Sequence, residues 1–181
     1  MLHAALDELR EHGHTRLSID AVARRSGVAK ATIYRRWGDR DGLVLDVVAW
    51  FGAARATVPD TGRFEEDLRL WARSIAAMLA DPTAAVLVRA VLATDPRSGH
   101  AVRQQFWRTR RDLVRPLVER ARDRGEIPPG TDADEVIRHV GAPLYYRFLV
   151  LDEPVTPADA DRAAAITALA THTALLTHPS P

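Results

Sequence analysis

Apolar residues recur at three- and four-residue spacing along nearly the whole chain, and no stretch alternates apolar with polar. A helix returns a side chain to one face every 3.6 residues, whereas a strand does so every second residue. The pattern therefore predicts an all-α fold of about nine helices. Leu2, Leu6 and Leu9 mark the first helix, and Ser18 opens a second that ends near Arg25. Ser26-Gly27-Val28 is a tight turn, and Ala29 to Trp37 is the third helix. Asp39 caps the fourth, with Leu43, Val47, Trp50, Phe51 and Ala54 on its inner side.

Later helices are marked by their first residues. Asp81-Pro82, Asp95-Pro96 and Thr156-Pro157 each place a capping oxygen before a proline, whose missing N–H costs nothing in a first turn. Thr131 with Asp134 resembles a capping box. These starts predict helices over 62–80, 82–93, 96–124, 132–151 and 157–177, the third of them ended by Gly125 and Pro128-Pro129. The joint at 57–62, which contains Pro59, divides the chain into residues 1–56 and 57–181.

Composition narrows the function classes. A chain of 181 residues, 46% hydrophobic, buries a substantial core. No apolar run approaches the roughly 20 residues that span a bilayer, and the N-terminus lacks the cationic-then-apolar order of a signal peptide. With no cysteine, disulfides, thiolate chemistry and cysteine zinc sites are excluded. A cytoplasmic location is the expectation. The formal charge of +1 hides an asymmetry. Residues 24–40 hold six cations (Arg24, Arg25, Lys30, Arg35, Arg36, Arg40) against Asp39, while residues 57–181 hold 16 basic and 17 acidic residues. A local basic cluster on a neutral body points to an anionic partner at one end.

The cluster falls on the helix-turn-helix. A helix that reads DNA is braced by a partner helix, exposes side chains to base edges and is pinned by phosphate contacts. Ile19, Val22 and Ala23 are suited to pack the second helix inward, and Val28 and Ile33 the third. Lys30, Ala31, Tyr34 and Arg35 then face outward, with Arg36 in reach of bases or phosphate. Trp37 reads as a core plug, and Tyr34 as a groove or phosphate contact.

Residues 2–51 resemble the DNA-binding domain of the tetracycline-repressor (TetR) family of bacterial transcription regulators. The resemblance rests on Leu17-Ser18-Ile19-Asp20-Ala21-Val22-Ala23, on the run from Gly27 to Trp37, and on Asp39-Arg40 with Leu43. It implies that Lys30, Ala31, Tyr34 and Arg36 face bases or nearby backbone, and that Ser18, Thr32 and Arg40 hold phosphates. It also implies a homodimer on a double-stranded operator, with a C-terminal part that binds a small-molecule effector. The effector would shift the fourth helix and hence the spacing of the two heads; repression is the family's common behaviour. Two positions depart from the family. Trp37 stands where phenylalanine is usual, and the chain begins inside the first helix, where members usually carry a polar or basic arm. Gly141-Ala142-Pro143-Leu144-Tyr145-Tyr146-Arg147 is similar to a C-terminal subgroup of these regulators.

In the C-terminal part, Phe64, Leu68, Trp71, Ile75 and Met78 form one face of the fifth helix, and Val102, Phe106, Leu113, Leu117 and Ala121 one face of the seventh. Such stripes are ordinary core. Yet Trp71, Met78, Phe106, Trp107, Tyr145 and Phe148 supply more aromatic and soft surface than a minimal core needs, which points to an effector cavity. Pro143 removes the hydrogen bond to the His139 carbonyl and predicts a kink there. That carbonyl and the Tyr145 and Tyr146 hydroxyls are candidate polar contacts; His139 is either another or an ordinary surface histidine. Helices eight and nine are the expected dimer surface, through Val136, Val140, Leu144 and Leu151 and through Ile166, Leu169, Thr173 and Leu176, with Ala163 and Ala170 allowing close approach.

Two rival classes remain. An enzyme would rest on His139 with a tyrosine, or on Glu65-Glu66-Asp67, but those acids suit a helix N-terminus without catalysis. No phosphate loop, nucleophile elbow or zinc-protease motif is present, and no cofactor is expected. His12 and His14 flank a glycine in a turn and are read as lacking further ligands nearby, so no metal site is expected. The second rival is an architectural DNA binder without an effector.

Overall fold

The computed structural model describes residues 1–53, 58–93 and 100–177, except the side chains of 52, 53, 100–103 and 106. These residues form nine helices: α1 (Leu2–Arg16), α2 (Ile19–Ser26), α3 (Lys30–Trp37), α4 (Arg40–Ala53), α5 (Phe64–Ala80), α6 (Pro82–Leu92), α7 (His100–Asp123), α8 (Ala133–Leu149) and α9 (Pro157–His172). No strand occurs among them; Thr131 and Thr177 form an isolated bridge. The helix start expected at Asp95-Pro96 and the inward Ala54 lie outside the described residues.

The chain divides into two packing units, Met1–Ala56 with Pro82–Thr109, and Thr57–Asp81 with Arg110–Pro181. In the first, α1 to α4 and α6 close around Leu9, Val22, Ile33, Leu43, Val47 and Val91, each at most 1% exposed. Chain order assigned α6 to the part formed by residues 57–181. Packing puts its Leu87, Ala90 and Val91 in this first core instead, because their apolar stripe fits the faces of α1 and α4. Trp107, near the start of α7, packs against the same core. On α4, Leu43 and Val47 are buried and Phe51 is half-buried as expected. Trp50 is not: it stays exposed, with its ring edge-on to His3. The α3–α4 corner is tight. Asp39 Oδ1 accepts from the Gly42 N–H at 2.8 Å, and a side chain at Gly42 would run into the Trp37 carbonyl oxygen.

In the second unit, α5 lies along α9, and α8 packs on both. Phe64, Leu68, Leu117, Val118, Val136, Val140 and Leu144 fill its centre, and buried Ala160, Ala163, Ala164 and Ala168 let α9 approach closely. Segment 58–63 is held by side chains rather than by regular structure. The fully buried Asp67 accepts from the Thr61 N–H at 2.7 Å and hydroxyl at 2.8 Å, and Arg120 donates to the Pro59 carbonyl at 2.7 Å. The first N–H of α5, at Phe64, donates to Glu126 Oε2 at 2.7 Å. Thr156 and Asp159 make the full capping box of α9. At α8 the cap is Asp132, one residue after the expected Thr131, whose hydroxyl turns back to the Pro128 carbonyl. Helix α8 runs through Pro143 as one helix. Helix α9 ends at His172, short of the expected 177, because Ala174 takes a φ of 59° and turns buried Leu176 back to bond Asp132.

Candidate nucleic-acid interface

The helix-turn-helix is assembled from short-range signals. Ser18 is the N-cap of α2, its hydroxyl oxygen accepting from the Ala21 N–H at 3.3 Å. Gly27 ends α2 in the left-handed region at φ 70°, where a β-carbon would be strained, and this turns the chain into α3. Only Ile33 of α3 is fully buried. Val28 and Trp37 pack half-buried against the same core. The rest of α3 therefore faces outward. Lys30, Ala31, Tyr34 (45% exposed), Arg35 and Arg36 are exposed, and Thr32 is half-buried. Trp37 closes the corner as the sequence implies: its indole N–H donates to Asp46 Oδ2 at 2.7 Å, and the Arg36 guanidinium stacks 4.7 Å above its ring.

The cations of this face are not equally available. Lys30 Nζ lies 2.7 Å from Asp20 Oδ1 and 5.8 Å from the Tyr34 ring centre. The Asp20 carboxylate holds the Lys30 ammonium above its ordinary pKa, so it stays charged. Arg25 donates through both terminal nitrogens to Glu11 at 2.9 and 2.7 Å, tying α2 to α1, and this is structural rather than free charge. Arg40 donates to the Thr15 carbonyl at 3.2 Å, beside the buried contact of 2.8 Å between His14 Nε2 and Asp41 Oδ1 that joins the end of α1 to the start of α4. Arg35 has no partner among the described residues. Ser18 shares an open depression with Arg24 and with Arg16, a cation outside the expected set. None of these ties was legible in the sequence, since Glu11–Arg25 and His14–Asp41 span 14 and 27 residues.

The expected effector residues do not form one group. Trp71 and Met78 are half-buried on one face of α5, and Tyr145 is half-buried and Phe148 buried on α8. Arg110 of α7 joins them, donating to Met78 Sδ at 2.9 Å and lying in electrostatic reach of the Tyr145 hydroxyl, whose pKa burial pushes up. Trp107 departs from the expectation, because it belongs to the other unit's core. The Phe106 side chain lies outside the described residues. His139 is half-exposed and its Nδ1 sits 2.9 Å from the Glu135 carbonyl one turn back; Tyr146 is 55% exposed. Both stand on the outer face of α8 rather than inside the unit.

That outer face revises the expected contact surface. Val136, Val140 and Leu144 are at most 1% exposed and belong to the unit's own core, as do Ala163 and Leu176. Of the expected residues, Leu151, just past α8, and Ile166 and Leu169 (61% and 66% exposed) on α9 are exposed, and Ala142, Pro143 and Tyr146 of α8 with its C-cap Val150 lie on the surface beside them. Among the described residues His12 also differs from its sequence reading, since Glu8 and Glu11 stand beside it.

Comparison with known proteins gives a consistent picture. Residues 1–47 match the family model described as bacterial regulatory proteins, tetR family, and residues 58–167 match the one described as tetracyclin repressor-like, C-terminal domain. The chain is 33% identical over 161 residues to the HTH-type transcriptional regulator Mb1581 of Mycobacterium bovis, covering 86% of this chain and 78% of that one. It is 28% identical over 159 residues to the HTH-type transcriptional regulator AqdR of Rhodococcus erythropolis, covering 86% and 77%. Among solved structures, the TetR family transcription regulator SCO0332 superposes with a TM-score of 0.77 at 28% identity, covering 92% of this chain and 93% of that one.

Proposed function

The chain belongs to the TetR family of helix-turn-helix transcriptional regulators, and from that footing we propose that it represses by binding a palindromic operator as a homodimer that a small-molecule effector releases. The observation that carries this reading is the exposed face of α3, where Lys30, Ala31, Tyr34, Arg35 and Arg36 stand clear while Ile33 and Trp37 hold the helix to the core. Lys30, Ala31, Tyr34 and Arg36 read base edges and adjoining backbone; Ser18, Thr32, Arg35 and Arg40 fix the phosphates on either side. Among the described residues no single helix is long and apolar enough to cross a membrane.

The dimer forms through the outer faces of α8 and α9, with Tyr146 and Leu169 near its centre. Two heads spaced about 34–36 Å apart then meet successive turns of one DNA face. The effector seats among Trp71, Met78, Tyr145 and Phe148. The Arg110 guanidinium, 2.9 Å from Met78 Sδ, adds a cation to this group and suits it to an anionic effector. Binding that favours one head spacing shifts the population away from the DNA-competent dimer.

Selection of bound fragments from random DNA, followed by gel-shift titration of variants, tests the reading. Lys30→Ala and Tyr34→Ala are expected to lose about tenfold or more on the selected site while keeping the wild-type melting temperature. Arg40→Ala weakens all DNA about equally, with a shallower salt dependence. Unchanged affinity in all three would remove α3 from DNA reading.

A further inference from the structure

Glu8 is the anomaly of the first unit. It is 3% exposed, yet its carboxylate makes no hydrogen bond among the described residues. Its ionisable neighbours are His12 Nε2 at 3.9 Å and Arg25 Nη2 at 4.0 Å, both beyond hydrogen-bond reach. Its oxygens are left to a water or a cation. It opens onto the depression that His12 also lines. Glu11 completes a triangle, with Oε2 3.8 Å from His12 Nε2; one ligand atom from each of the three residues falls within 4.8 Å of the others.

We propose that Glu8, Glu11 and His12 are three protein ligands of a divalent cation of the zinc class, held on α1 with water in the remaining position. Helical geometry supplies the arrangement, since Glu8 and His12 stand one turn apart on one face and Glu11 lies beside them. Tetrahedral coordination with bonds of about 2.0–2.1 Å needs donor atoms about 3.4 Å apart. The observed 3.8 and 3.9 Å close to that value by small rotations of two half-exposed side chains. The imidazole nitrogen selects zinc, nickel, copper or cobalt over magnesium or calcium, which prefer oxygen alone. Arg25 does not exclude the ion. It holds both Glu11 oxygens, Nη1 on Oε1 at 2.9 Å and Nη2 on Oε2 at 2.7 Å, so the ion takes Oε2 in exchange for the Nη2 bond while Nη1 keeps Oε1 as an outer partner. Ser18, proposed to hold a phosphate, lines the same depression, but none of the three ligands is placed at DNA, so a titration without DNA reads the site apart from the operator reading.

The test is isothermal titration of zinc chloride into the full chain, beside thermal melts with and without the metal. The wild type is expected to bind one zinc ion at micromolar affinity and to melt higher in its presence. Loss of a second-sphere partner alone costs about 10- to 100-fold in metal affinity, so His12→Ala and Glu8→Gln each lose at least as much, and the melting shift with it. His12 is 47% exposed, so its replacement leaves the fold intact and decides the matter even if Glu8→Gln does not fold. No binding at about 0.1 mM zinc overturns the proposal. Equal binding by wild type and His12→Ala overturns it too, by placing the ion on another histidine.

Discussion

Lys30 meets DNA already holding a counter-ion. Its ammonium pairs with Asp20 across the α2–α3 turn, and half of each side chain is open to water. An exposed pair of this kind is worth little to stability, so its main effect is on which anion Lys30 serves. A phosphate or a guanine edge competes with the carboxylate at every encounter. Replacing Asp20 by alanine removes the competitor and one negative charge from the face. The expected result is several-fold tighter binding to any duplex and a log–log salt slope steeper by about one, measured by anisotropy between about 50 and 200 mM salt. An unchanged slope would mean that the pair never competes with DNA. Arg25 shows the opposite case. Its two-pronged bond to Glu11 makes it a brace between helices, although by composition it counted with the DNA-facing charge.

Helix ends show what a sequence discloses and what it withholds. The caps at Ser18, Asp39 and Thr156 were legible because donor and acceptor lie within three residues of each other, inside the reach of local pattern. The cap of α5 was not, because Glu126 comes from 62 residues away and only packing brings it to Phe64. Its pKa lies below the ordinary value, first through the Arg124 hydrogen bond and then through the Phe64 N–H. A lowered carboxylate pKa stabilises the fold fully above the unfolded value, and that contribution disappears as pH falls through the folded one. Glu126→Gln should therefore melt earlier than wild type at neutral pH, with the gap narrowing in the acid range; a gap that is constant with pH would show that the charge is immaterial. The α8 stripe of Val136, Val140 and Leu144, expected to face a partner, lies in its own unit's core for a different reason. Helix α8 is apolar on two sides, and periodicity reports the stripes without saying which one its own subunit covers. Helix count, the turn at Gly27 and the outward side of α3 needed no such choice, since Ile33 and Trp37 left one inward face.

At the scale of the whole molecule, the apolar residues left over after each unit is packed become the argument for assembly. Ile166 and Leu169 on α9 and Tyr146 on α8 are exposed at the positions where a partner is proposed. Leu169→Glu is expected to give a monomer in analytical ultracentrifugation and to weaken operator binding by about a hundredfold or more, the avidity of two linked heads. A variant that stays dimeric would move the interface elsewhere. The placement of α6 has its own consequence for how the protein is made. The first unit draws Leu87, Ala90 and Val91 from beyond the entire α5 segment, so its interior stays unfinished when residue 56 leaves the ribosome. At about 5–20 residues per second, the nascent chain spends a few seconds with its recognition helix made but its supporting cluster incomplete. In that interval α5 waits for α8 and α9, so each half of the nascent chain depends on residues still to be synthesised.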